Sequence, residues 1–334
     1  MKWLEMDEWI DICCWILISM VTVYLLKRTC SGIYFLEEGR LDDKVIVVTG
    51  ANSGIGYETA LELTRRGASV ILACRDRQRG LKAESSIKKA TNSSAVRFRQ
   101  LDLGSFKSIR TFAKTIKLEE KNLYALINNA GVFWCDFSTT QDGFELNFGV
   151  NYLGHFLLTM LLLPLLNNCQ YGGRVVTVSS IMHIFGQLDL NQLSVKKHNY
   201  NFVKAYSDSK LASVLFTKEL TKRLKLPRVT TYCADPGIVS TNIGRESKLM
   251  GSYFYRVLLI PLRWLFFKSA FSGSQTVIYC VCSSSPLKYS GACFSECEHR
   301  SAWPSAVDEC TSSELWRESV KLTNLSDNEM KCCN

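Results

Sequence analysis

Short apolar, β-branched runs alternate with amphipathic stretches along most of this chain. The runs at 43–51 and 68–75 are DKVIVVTGA and ASVILACR, and residues with helical periodicity follow each of them. Alternation of buried strands with helices is typical of βαβ units and a parallel sheet. The pattern therefore predicts a doubly wound, Rossmann-type α/β fold with helices on both faces of the sheet.

The same pattern predicts where each element begins and ends. We expect strands at 43–51, 68–75, 95–103, 123–131, 173–180 and 229–237. We expect helices at 53–67, 76–90, 105–117, 142–167 and 204–225. Because no internal repeat or Pro/Gly-rich linker divides these elements, we predict a single domain over residues 42–325.

An uncharged run of 15 residues, ICCWILISMVTVYLL, occupies 12–26. It is short for a membrane-spanning helix, which needs about 17–25 residues, so a buried helix or a signal peptide is the alternative. Lys27 and Arg28 follow it where a cleavage site would need small residues, and four acidic residues precede it between 5 and 11. The charge asymmetry predicts an uncleaved membrane anchor over 1–28. The rest of the chain would then face the cytosol, from an intracellular membrane such as the endoplasmic reticulum.

Composition narrows the class of protein. The 334 residues are 47% hydrophobic and 21% charged, as in a globular protein, and the net charge of +9 is spread along the chain. No nucleic-acid-binding module is present, so we predict no nucleic-acid partner. Most of the 14 cysteines read as free thiols of a cytosolic protein. The spacing from Cys280 to His299 does not match the usual zinc knuckles, so we predict no metal site.

A glycine-rich turn, TGANSGIG, connects the first strand to the first helix of the sheet. Gly50, Gly54 and Gly56 let the chain turn tightly, and they open the helix N-terminus to a pyrophosphate. The spacing G-x-x-x-G-x-G differs from the usual dinucleotide fingerprint, so a structural turn is the alternative. Its place on the first βα connection favours nucleotide binding.

The second strand ends in ACRDR, which bears on the choice of cofactor. An acidic residue at this place favours NAD, and an arginine favours the 2′-phosphate of NADP. Arg75 comes first after the strand, and Asp76 and Arg77 follow it. Two guanidinium groups beside one carboxylate predict NADP(H) as the cofactor.

The segment KAYSDSKLAS, residues 204–213, contains Tyr206 and Lys210 four residues apart. A tyrosine with a pKa near 10 needs a nearby cation to work as an acid or base at neutral pH, and lysine at i+4 shares its helix face. The same spacing recurs at Tyr200 and Lys204, in a polar stretch with bulky residues between them. We therefore favour Tyr206 and Lys210 as the proton-transfer pair.

A set of motifs in a fixed order resembles the short-chain dehydrogenases/reductases over about 200 residues. The motifs are TGANSGIG at 49–56, Asp102 in LDL, NNAG at 128–131, Asn151 in VNYLGHF, the pair Ser179–Ser180, YSDSK at 206–210 and DPGIVST at 235–241. The stretches ILACRD, QLDL and KLASVLFTKEL, together with the anchor, are similar to the membrane-anchored retinol dehydrogenase branch.

The resemblance implies roles for four residues. Tyr206 would be the catalytic acid/base, and Lys210 would hold the nicotinamide ribose and lower the pKa of that tyrosine. Ser180 would orient the substrate oxygen, whereas its neighbour Ser179 would face away. Asn151 would support a water molecule that links the lysine to solvent.

The glycine turn and the resemblance together give the expected cofactor-binding residues. They are Gly50, Asn52, Ser53, Gly54, Ile55, Gly56, Arg75, Asp102, Leu103, Asn129, Ala130, Gly131, Tyr206, Lys210, Pro236, Gly237, Val239 and Thr241. The sequence departs from the branch at Asp235, where a histidine commonly stands. We expect Asp235 to weaken cofactor contacts without abolishing activity.

The apolar segment YFYRVLLIPLRWLFF, residues 253–267, follows the last predicted strand. A substrate lid over about 240–270 would suit a long hydrophobic substrate, but an interfacial membrane segment, core packing or a homodimer surface fits as well. We expect interconversion of a hydrophobic alcohol and its aldehyde or ketone, foremost retinol and retinal. A reductase of steroid or lipid-derived carbonyls and a catalytically silent nucleotide-binding scaffold are the alternatives. His183 and His198 read as loop residues.

Overall fold

Eight strands form one sheet in the computed structural model of this chain, which describes residues 6–37, 39–133, 136–190, 200–224, 228–240, 264–301 and 308–332. The strands are β1 Val45–Thr49, β2 Ser69–Cys74, β3 Val96–Gln100, β4 Ala125–Asn128, β5 Gly173–Val178, β6 Val229–Asp235, β7 Cys293–Ser295 and β8 Glu298–Arg300. Their order in space is β3-β2-β1-β4-β5-β6-β7-β8.

Every neighbouring pair of strands is parallel except β7 and β8, which form an antiparallel hairpin at the edge. In the middle of the sheet, Val48 lies opposite Leu72 on one side and Ile127 on the other. The strand order reverses direction between β1 and β4, which is where a doubly wound sheet opens a ligand crevice at its carboxyl edge. The predicted Rossmann-type fold is confirmed.

Seven of the α-helices bounded in the described part of the chain pack around the sheet, and an eighth, the first in the chain, precedes it with its apolar run unburied. They are α1 Met6–Cys30, α2 Gly54–Arg65, α3 Arg77–Thr91, α4 Phe106–Glu119, α5 Gly154–Asn167, α6 Phe202–Arg223, α7 Ala270–Cys282 and α8 Glu309–Leu322. A π-helical turn Phe148–Leu153 precedes α5, and short 3-10 helices occupy Ile181–Phe185 and Ser285–Tyr289.

The two faces of the sheet pack against separate layers of helices, because successive strand residues point to opposite sides. On β1, Ile46 and Val48 join the core formed with α2, α3 and α7. Val47 joins the core formed with α4, α5 and α6. The buried, β-branched composition of the strands therefore follows from burial on both faces.

The predicted helix at 142–167 begins later than expected. Glu145 pairs with Thr139 in an isolated antiparallel bridge, and its buried carboxylate accepts the backbone N–H groups of Asn147 and Phe148 at 2.9 and 2.8 Å. A carboxylate in this position caps a helix N-terminus, so the helical residues begin at Leu146, directly after Glu145. The sequence pattern missed this start because Glu145 and Asn147 also fit a helix.

Two helical segments in the described residues are long and apolar enough to cross a membrane. Phe148–Asn167 is 94% buried and is a core helix of the domain. Asp11–Cys30 has a mean hydropathy of 1.5 and none of it is buried. Helix α1, which contains it, extends the predicted run of 15 residues to 25 and is about 37 Å long.

Helix α8, which the sequence pattern did not predict, completes one of the two cores. Trp316 of α8 is 5% exposed, and its ring lies 5.2 Å from that of Phe156 and 6.0 Å from that of Phe216. The guanidinium of Arg223 covers the same indole at 4.9 Å. The end of the chain is thereby packed onto α5 and α6, the helices next to the carboxyl edge of β5.

We expect the change Trp316→Ala to lower the free energy of unfolding by about 3–5 kcal/mol, because it empties a buried aromatic site. Chemical denaturation of the detergent-solubilised chain, followed by circular dichroism, measures this loss. The control Leu118→Ala removes a side chain that is 79% exposed, and we expect a change within about 0.5 kcal/mol. Equal midpoints for the two variants would show that α8 is not part of the core.

Candidate active site

The carboxyl ends of β1, β4, β5 and β6 bring the predicted site residues to one edge of the sheet. Thr49 ends β1, Asn128 ends β4 and Asp235 ends β6. Ser180 follows β5 by two residues, and Tyr206 and Lys210 come from α6, which packs beside β5 and β6. Parallel strands place their carboxyl ends together, so residues far apart in the sequence meet here.

The glycine turn after β1 has a geometry that other residues would not adopt. Gly50 has a φ of +67°, in the left-handed region, and a Cβ there would lie 2.8 Å from Cα of Ala130. A Cβ on Gly56 would lie 2.6 Å from the carbonyl oxygen of Gly50 and 2.4 Å from Nδ2 of Asn129. These contacts leave an open, backbone-lined turn at the start of α2.

The N-terminus of α2 is available to an anion. Ser53 is the N-cap residue, and its side chain makes no capping hydrogen bond, and no acidic residue stands in the first turn. The first N–H groups of a helix carry partial positive charge and have no intrahelical partner. The turn and helix end therefore form a site suited to phosphate oxygens, between Asn52 and Gly56.

The buried hydroxyl of Thr49 connects this turn to the loop after β4. Its Oγ1 accepts the backbone N–H groups of Asn129 and Ala130, both at 2.9 Å. The side-chain amide of Asn129 donates to the carbonyl oxygen of Thr49 at 2.7 Å. Residues 129–131, predicted to bind the cofactor, are thus fixed against the glycine turn.

The charged residues after β2 differ in their surroundings, which bears on the choice between NAD and NADP. The Asp76 carboxylate caps α3: its Oδ1 accepts the backbone N–H of Arg79 at 3.0 Å, and it pairs with the Arg79 guanidinium at 3.5 Å. Arg75 and Arg77 are exposed on either side of it. The carboxylate is therefore engaged within α3, and the guanidinium groups of Arg75 and Arg77 lie at the surface on either side of it.

The Asp102 carboxylate, predicted to contact the cofactor, shapes its own turn. Its Oδ1 accepts the backbone N–H of Gly104 at 2.9 Å, and the Asp102 N–H donates to the hydroxyl of Ser108 at 3.0 Å. The adjacent Leu103 is 6% exposed and belongs to the core.

Tyr206 lies near the start of α6, and its side chain is only 8% exposed. Its hydroxyl is close enough to the side chain of Ser180 for that serine to lower the tyrosine pKa, and its ring lies 4.3 Å from that of Phe133. Ser179 points the other way and donates to the carbonyl oxygen of Lys210 at 3.2 Å. Of the two adjacent serines, Ser180 is the one whose side chain influences the tyrosine hydroxyl, whereas Ser179 is engaged with α6.

Lys210 follows one helical turn later and is 3% exposed. Its Nζ donates to the carbonyl oxygen of Val178 at 2.8 Å and lies 5.6 Å from the ring centroid of Tyr206. A protonated hydroxyl held by a serine, with an ammonium one turn away, can donate a proton to a substrate oxygen.

Burial dominates the protonation of this pair. Burial raises the pKa of Tyr206 to about 12; its hydrogen bond with Ser180 lowers the pKa, and the charge of Asp235 raises it. Burial lowers the pKa of Lys210 to about 8, against smaller upward effects of Cys233 and Asp235. The expected lowering of the tyrosine pKa by Lys210 is therefore not the net result in this structure, because both groups are desolvated and the ammonium donates to Val178.

Asn151 lies in the π-helical turn and connects three segments. Its Oδ1 accepts the N–H of Val132 at 2.8 Å, and its Nδ2 donates to the carbonyl oxygen of Val132 at 3.1 Å and to the hydroxyl of Ser209 at 3.0 Å. Ser209 in turn donates to the carbonyl oxygen of Tyr206 at 2.7 Å. The amide thus holds the loop after β4 against α6.

His155 is a site residue that the sequence reasoning missed. Its Nδ1 lies 3.0 Å from the carbonyl oxygen of Asn151, and its Nε2 lies 2.9 Å from Oγ1 of Thr49. A carbonyl only accepts, so Nδ1 carries the proton and Nε2 accepts the Thr49 hydroxyl. Burial lowers the pKa of His155 to about 4, which keeps the ring neutral. A histidine inside an otherwise apolar helix was the available signal.

The rival pair at the same spacing has other partners. The Tyr200 hydroxyl donates to the Glu145 carboxylate at 3.3 Å and accepts from Nδ2 of Asn147 at 2.9 Å. Lys204 donates to Asp208 at 2.5 Å and to the carbonyl oxygen of Gln187 at 2.9 Å on the surface. These residues support the start of the π-helical turn and of α6.

The Asp235 carboxylate forms a hydrogen bond within the turn after β6. Its Oδ1 accepts the backbone N–H of Gly237 at 2.9 Å, which orders the Pro236–Gly237 segment. Val239 then pairs with Lys268 and, with Ile55 of α2, lies against Gly273 of α7. Thr241, His198 and residues 241–263 of the predicted lid lie outside the described residues.

His183 occupies the short 3-10 helix after Ser180 and not an irregular loop. Its Nδ1 lies 2.7 Å from the carbonyl oxygen of Ser180, to which it donates. Elsewhere in the described ranges, no group of three or more His, Cys, Asp or Glu side chains is placed to hold a metal ion.

Comparisons with known proteins show what this chain resembles. A sequence model described as short chain dehydrogenase matches residues 44–250. Retinol dehydrogenase 13 of Homo sapiens is 43% identical over 90% of this chain and 91% of its own length. Retinol dehydrogenase 12 of Mus musculus is 46% identical over 92% of this chain and 95% of its own length.

Solved structures share the fold. An uncharacterized protein from Mycobacterium Paratuberculosis superposes with a TM-score of 0.71 at 32% identity, over 88% of this chain and 98% of that one. A short chain dehydrogenase from Escherichia coli CFT073, solved in complex with NADPH, gives a TM-score of 0.60 at 22% identity, over 78% of this chain and 99% of that one.

We expect the buried neutral His155 to make stability depend on pH. Its folded pKa of about 4 lies below the ordinary 6.5, so the unfolded chain binds more protons between these values and stability falls as pH falls through this window. The loss from this group amounts to about 3 kcal/mol, at about 1.4 kcal/mol per pKa unit. Denaturation at pH 7 and pH 4.5 should show a shallower decline for His155→Gln than for wild type. His299→Gln, which removes an exposed imidazole outside the site, is the control; equal slopes for wild type and His155→Gln would contradict the assignment.

Proposed function

This chain belongs to the short chain dehydrogenase family, and on that premise we propose that it is an NADP(H)-dependent oxidoreductase of hydrophobic alcohols and their aldehydes or ketones. We further propose retinol and retinal as its substrate pair. The observation that carries the proposal is the burial of Tyr206 beside Ser180, with the buried ammonium of Lys210 at 5.6 Å from the tyrosine ring centroid. Relatives at 42–46% identity that are named retinol dehydrogenases support the substrate.

The residues present fit a dinucleotide cofactor. Any side chain at Gly50 or Gly56 would fill the cradle in front of α2, and the first N–H groups of α2 are not capped by Ser53. These groups would hold the pyrophosphate, and residues 129–131, fixed by Thr49, would line the adenosine side. When bound, the nicotinamide group supplies or accepts the hydride.

The proton transfer belongs to this chain's own residues. In reduction, the Tyr206 hydroxyl donates its proton to the carbonyl oxygen of the substrate, and in oxidation the phenolate takes a proton from the alcohol. Ser180 donates a hydrogen bond to the same oxygen and orients it. A pKa of about 12 keeps the Tyr206 hydroxyl protonated at neutral pH, as reduction requires.

Lys210 would stabilise the phenolate that remains after proton transfer. With a pKa of about 8, its ammonium is largely protonated at neutral pH, and burial strengthens its field at the tyrosine. Its hydrogen bond to Val178 holds it beneath the site until another partner competes for it. Asn151 and Ser209 would act by fixing the α6 turn that carries Tyr206.

The preference for NADP(H) is supported by the arrangement after β2. Asp76 is committed to the N-terminus of α3, whereas a carboxylate that binds an NAD ribose would have to turn toward the cofactor. Arg75 is exposed at the end of the strand, where a 2′-phosphate would lie. A guanidinium matches the geometry of phosphate oxygens.

We also propose that α1 anchors the protein in an intracellular membrane, foremost the endoplasmic reticulum, with the catalytic domain in the cytosol. The unburied apolar surface of α1 and the basic residues Lys27 and Arg28 in its last turn support this orientation. An anchored enzyme suits a substrate that partitions into lipid. A steroid or lipid-derived carbonyl would use the same chemistry and remains the alternative substrate class.

We expect the change Tyr206→Phe to abolish turnover, with a loss of about 10²–10⁴-fold in kcat, because it removes the proton donor. The assay is NADPH consumption by the purified, detergent-solubilised full chain with all-trans-retinal. Tyr200→Phe, which removes the rival hydroxyl beside Glu145, is the matched control and should keep most activity. A wild type that binds NADPH but reduces neither retinal nor lipid aldehydes and ketosteroids would favour the silent scaffold.

Arg75 should determine the cofactor preference. We expect Arg75→Gln to raise KM for NADPH about tenfold while leaving KM for NADH nearly unchanged, because one charge-assisted contact to phosphate is lost. Steady-state kinetics with the two cofactors measures this split. Arg65→Gln, on the far end of α2, is the control, and equal effects of Arg75→Gln on both cofactors would refute the assignment.

A further inference from the structure

Exposed apolar side chains surround the point where the chain leaves α1. Trp264 is 57% exposed, Phe266 47%, Tyr34 51%, Ile33 48% and Phe271 38%. We call these five residues, four aromatic and one isoleucine, the aromatic collar. Large apolar side chains that cluster on one surface, unlike single ones, mark a surface that contacts another apolar phase or molecule.

Specific contacts hold the collar to the end of α1. Lys27 donates to the carbonyl oxygens of Trp264 and Phe267 at 2.5 and 3.3 Å, and its ammonium lies 5.6 Å from the indole of Trp264. The ring of Tyr34 packs on that of Phe271 at 5.6 Å. The lysine in the last turn of α1 is therefore bound to the described end of the predicted lid, which begins at Trp264.

The residues that follow α1 are also fixed to the catalytic domain. The backbone N–H of Ile33 donates to the Glu296 carboxylate at 3.0 Å, and that of Phe35 donates to the side chain of Gln275 on α7 at 3.0 Å. Glu296 also pairs with Lys268, three residues before Phe271. The connection between anchor and domain is thus held by defined hydrogen bonds and is not a loose tether.

We propose that the aromatic collar lies in the interfacial layer of the bilayer that α1 enters, as a second membrane contact of the catalytic domain. Aromatic side chains prefer this layer, and basic residues at the end of a spanning helix mark the same depth. Because Lys27 and Trp264 touch, the collar cannot be far from that depth when α1 is inserted. A lipophilic substrate dissolved in that bilayer would then meet the catalytic domain at the membrane surface.

Two other occupants of the collar are less well supported. A second copy of the chain would have to fit around α1, which emerges through the same surface. A role as the wall of the substrate pocket would direct these side chains inward, whereas at least 38% of each collar side chain is exposed. The bilayer is the favoured occupant because the collar is continuous with α1. This inference rests on the proposed anchoring of that helix.

The first test needs no catalysis, so its outcome is independent of the proposed reaction. The full-length chain is inserted into phosphatidylcholine liposomes that contain a diazirine phospholipid, irradiated, and mapped by mass spectrometry. We expect labels on α1 and on the peptides containing 33–34 and 264–271, and none above background around Leu118, which is 79% exposed on α4. Labels confined to α1, or equal labels around Leu118, would overturn the proposal. Chain-to-chain cross-links through Trp264 in place of lipid labels would assign the collar to a second copy and overturn it too.

A kinetic comparison separates the membrane from the substrate pocket. We expect Phe266→Glu to raise KM for all-trans-retinal presented in liposomes about tenfold and to leave KM for a short, water-soluble aldehyde unchanged. Leu118→Glu, on the distant face, should change neither value. An equal rise of KM for both aldehydes in detergent would place Phe266 in the substrate pocket and overturn the proposal. This outcome is decisive whether or not retinal is the physiological substrate.

Discussion

The hydroxyl of Thr49, buried at the carboxyl end of β1, joins the three segments from which the site is built. It donates to the neutral ring of His155 and accepts two backbone N–H groups of the loop after β4. His155 in turn holds the carbonyl oxygen of Asn151, whose side chain reaches Val132 and Ser209. A single hydroxyl therefore couples the glycine turn, the loop after β4 and the π-helical turn, and through Ser209 the coupling reaches the helix that carries Tyr206.

The π-helical turn forms part of this network and is itself positioned by a cap. Glu145 ends the preceding bridge and caps the helix, and one turn further on the His155 ring donates to the carbonyl oxygen of Asn151. Single-turn π-helices are uncommon and often mark functional sites, because they redirect side chains within an otherwise regular helix. Here the redirected group is an amide that connects two parts of the site.

Desolvation sets the electrostatics of the site. Tyr206 and Lys210 are both nearly inaccessible to water, and burial moves the pKa of the tyrosine up and that of the lysine down. The two shifts favour the neutral form of each group, so a charge that develops on either one must be stabilised by the other or by a bound molecule. The ammonium of Lys210 is the buried cation one helical turn from Tyr206, and it is held in place by the carbonyl oxygen of Val178.

The sequence by itself determined the strand and helix pattern from β1 to β6 and the glycine turn, because hydrophobic periodicity and local spacing can be read from neighbouring residues. It also led to the prediction of Tyr206 and Lys210 over Tyr200 and Lys204. It did not predict β7, β8, α7 or α8, which are short or weakly patterned, and it started the helix before α5 too early. Only the tertiary structure engaged Asp76 and Asp235 in their own turns and brought His155 to Thr49 across 106 residues. Such contacts depend on which strand ends lie side by side in the folded sheet. The order of residues alone does not show which distant residues become neighbours there.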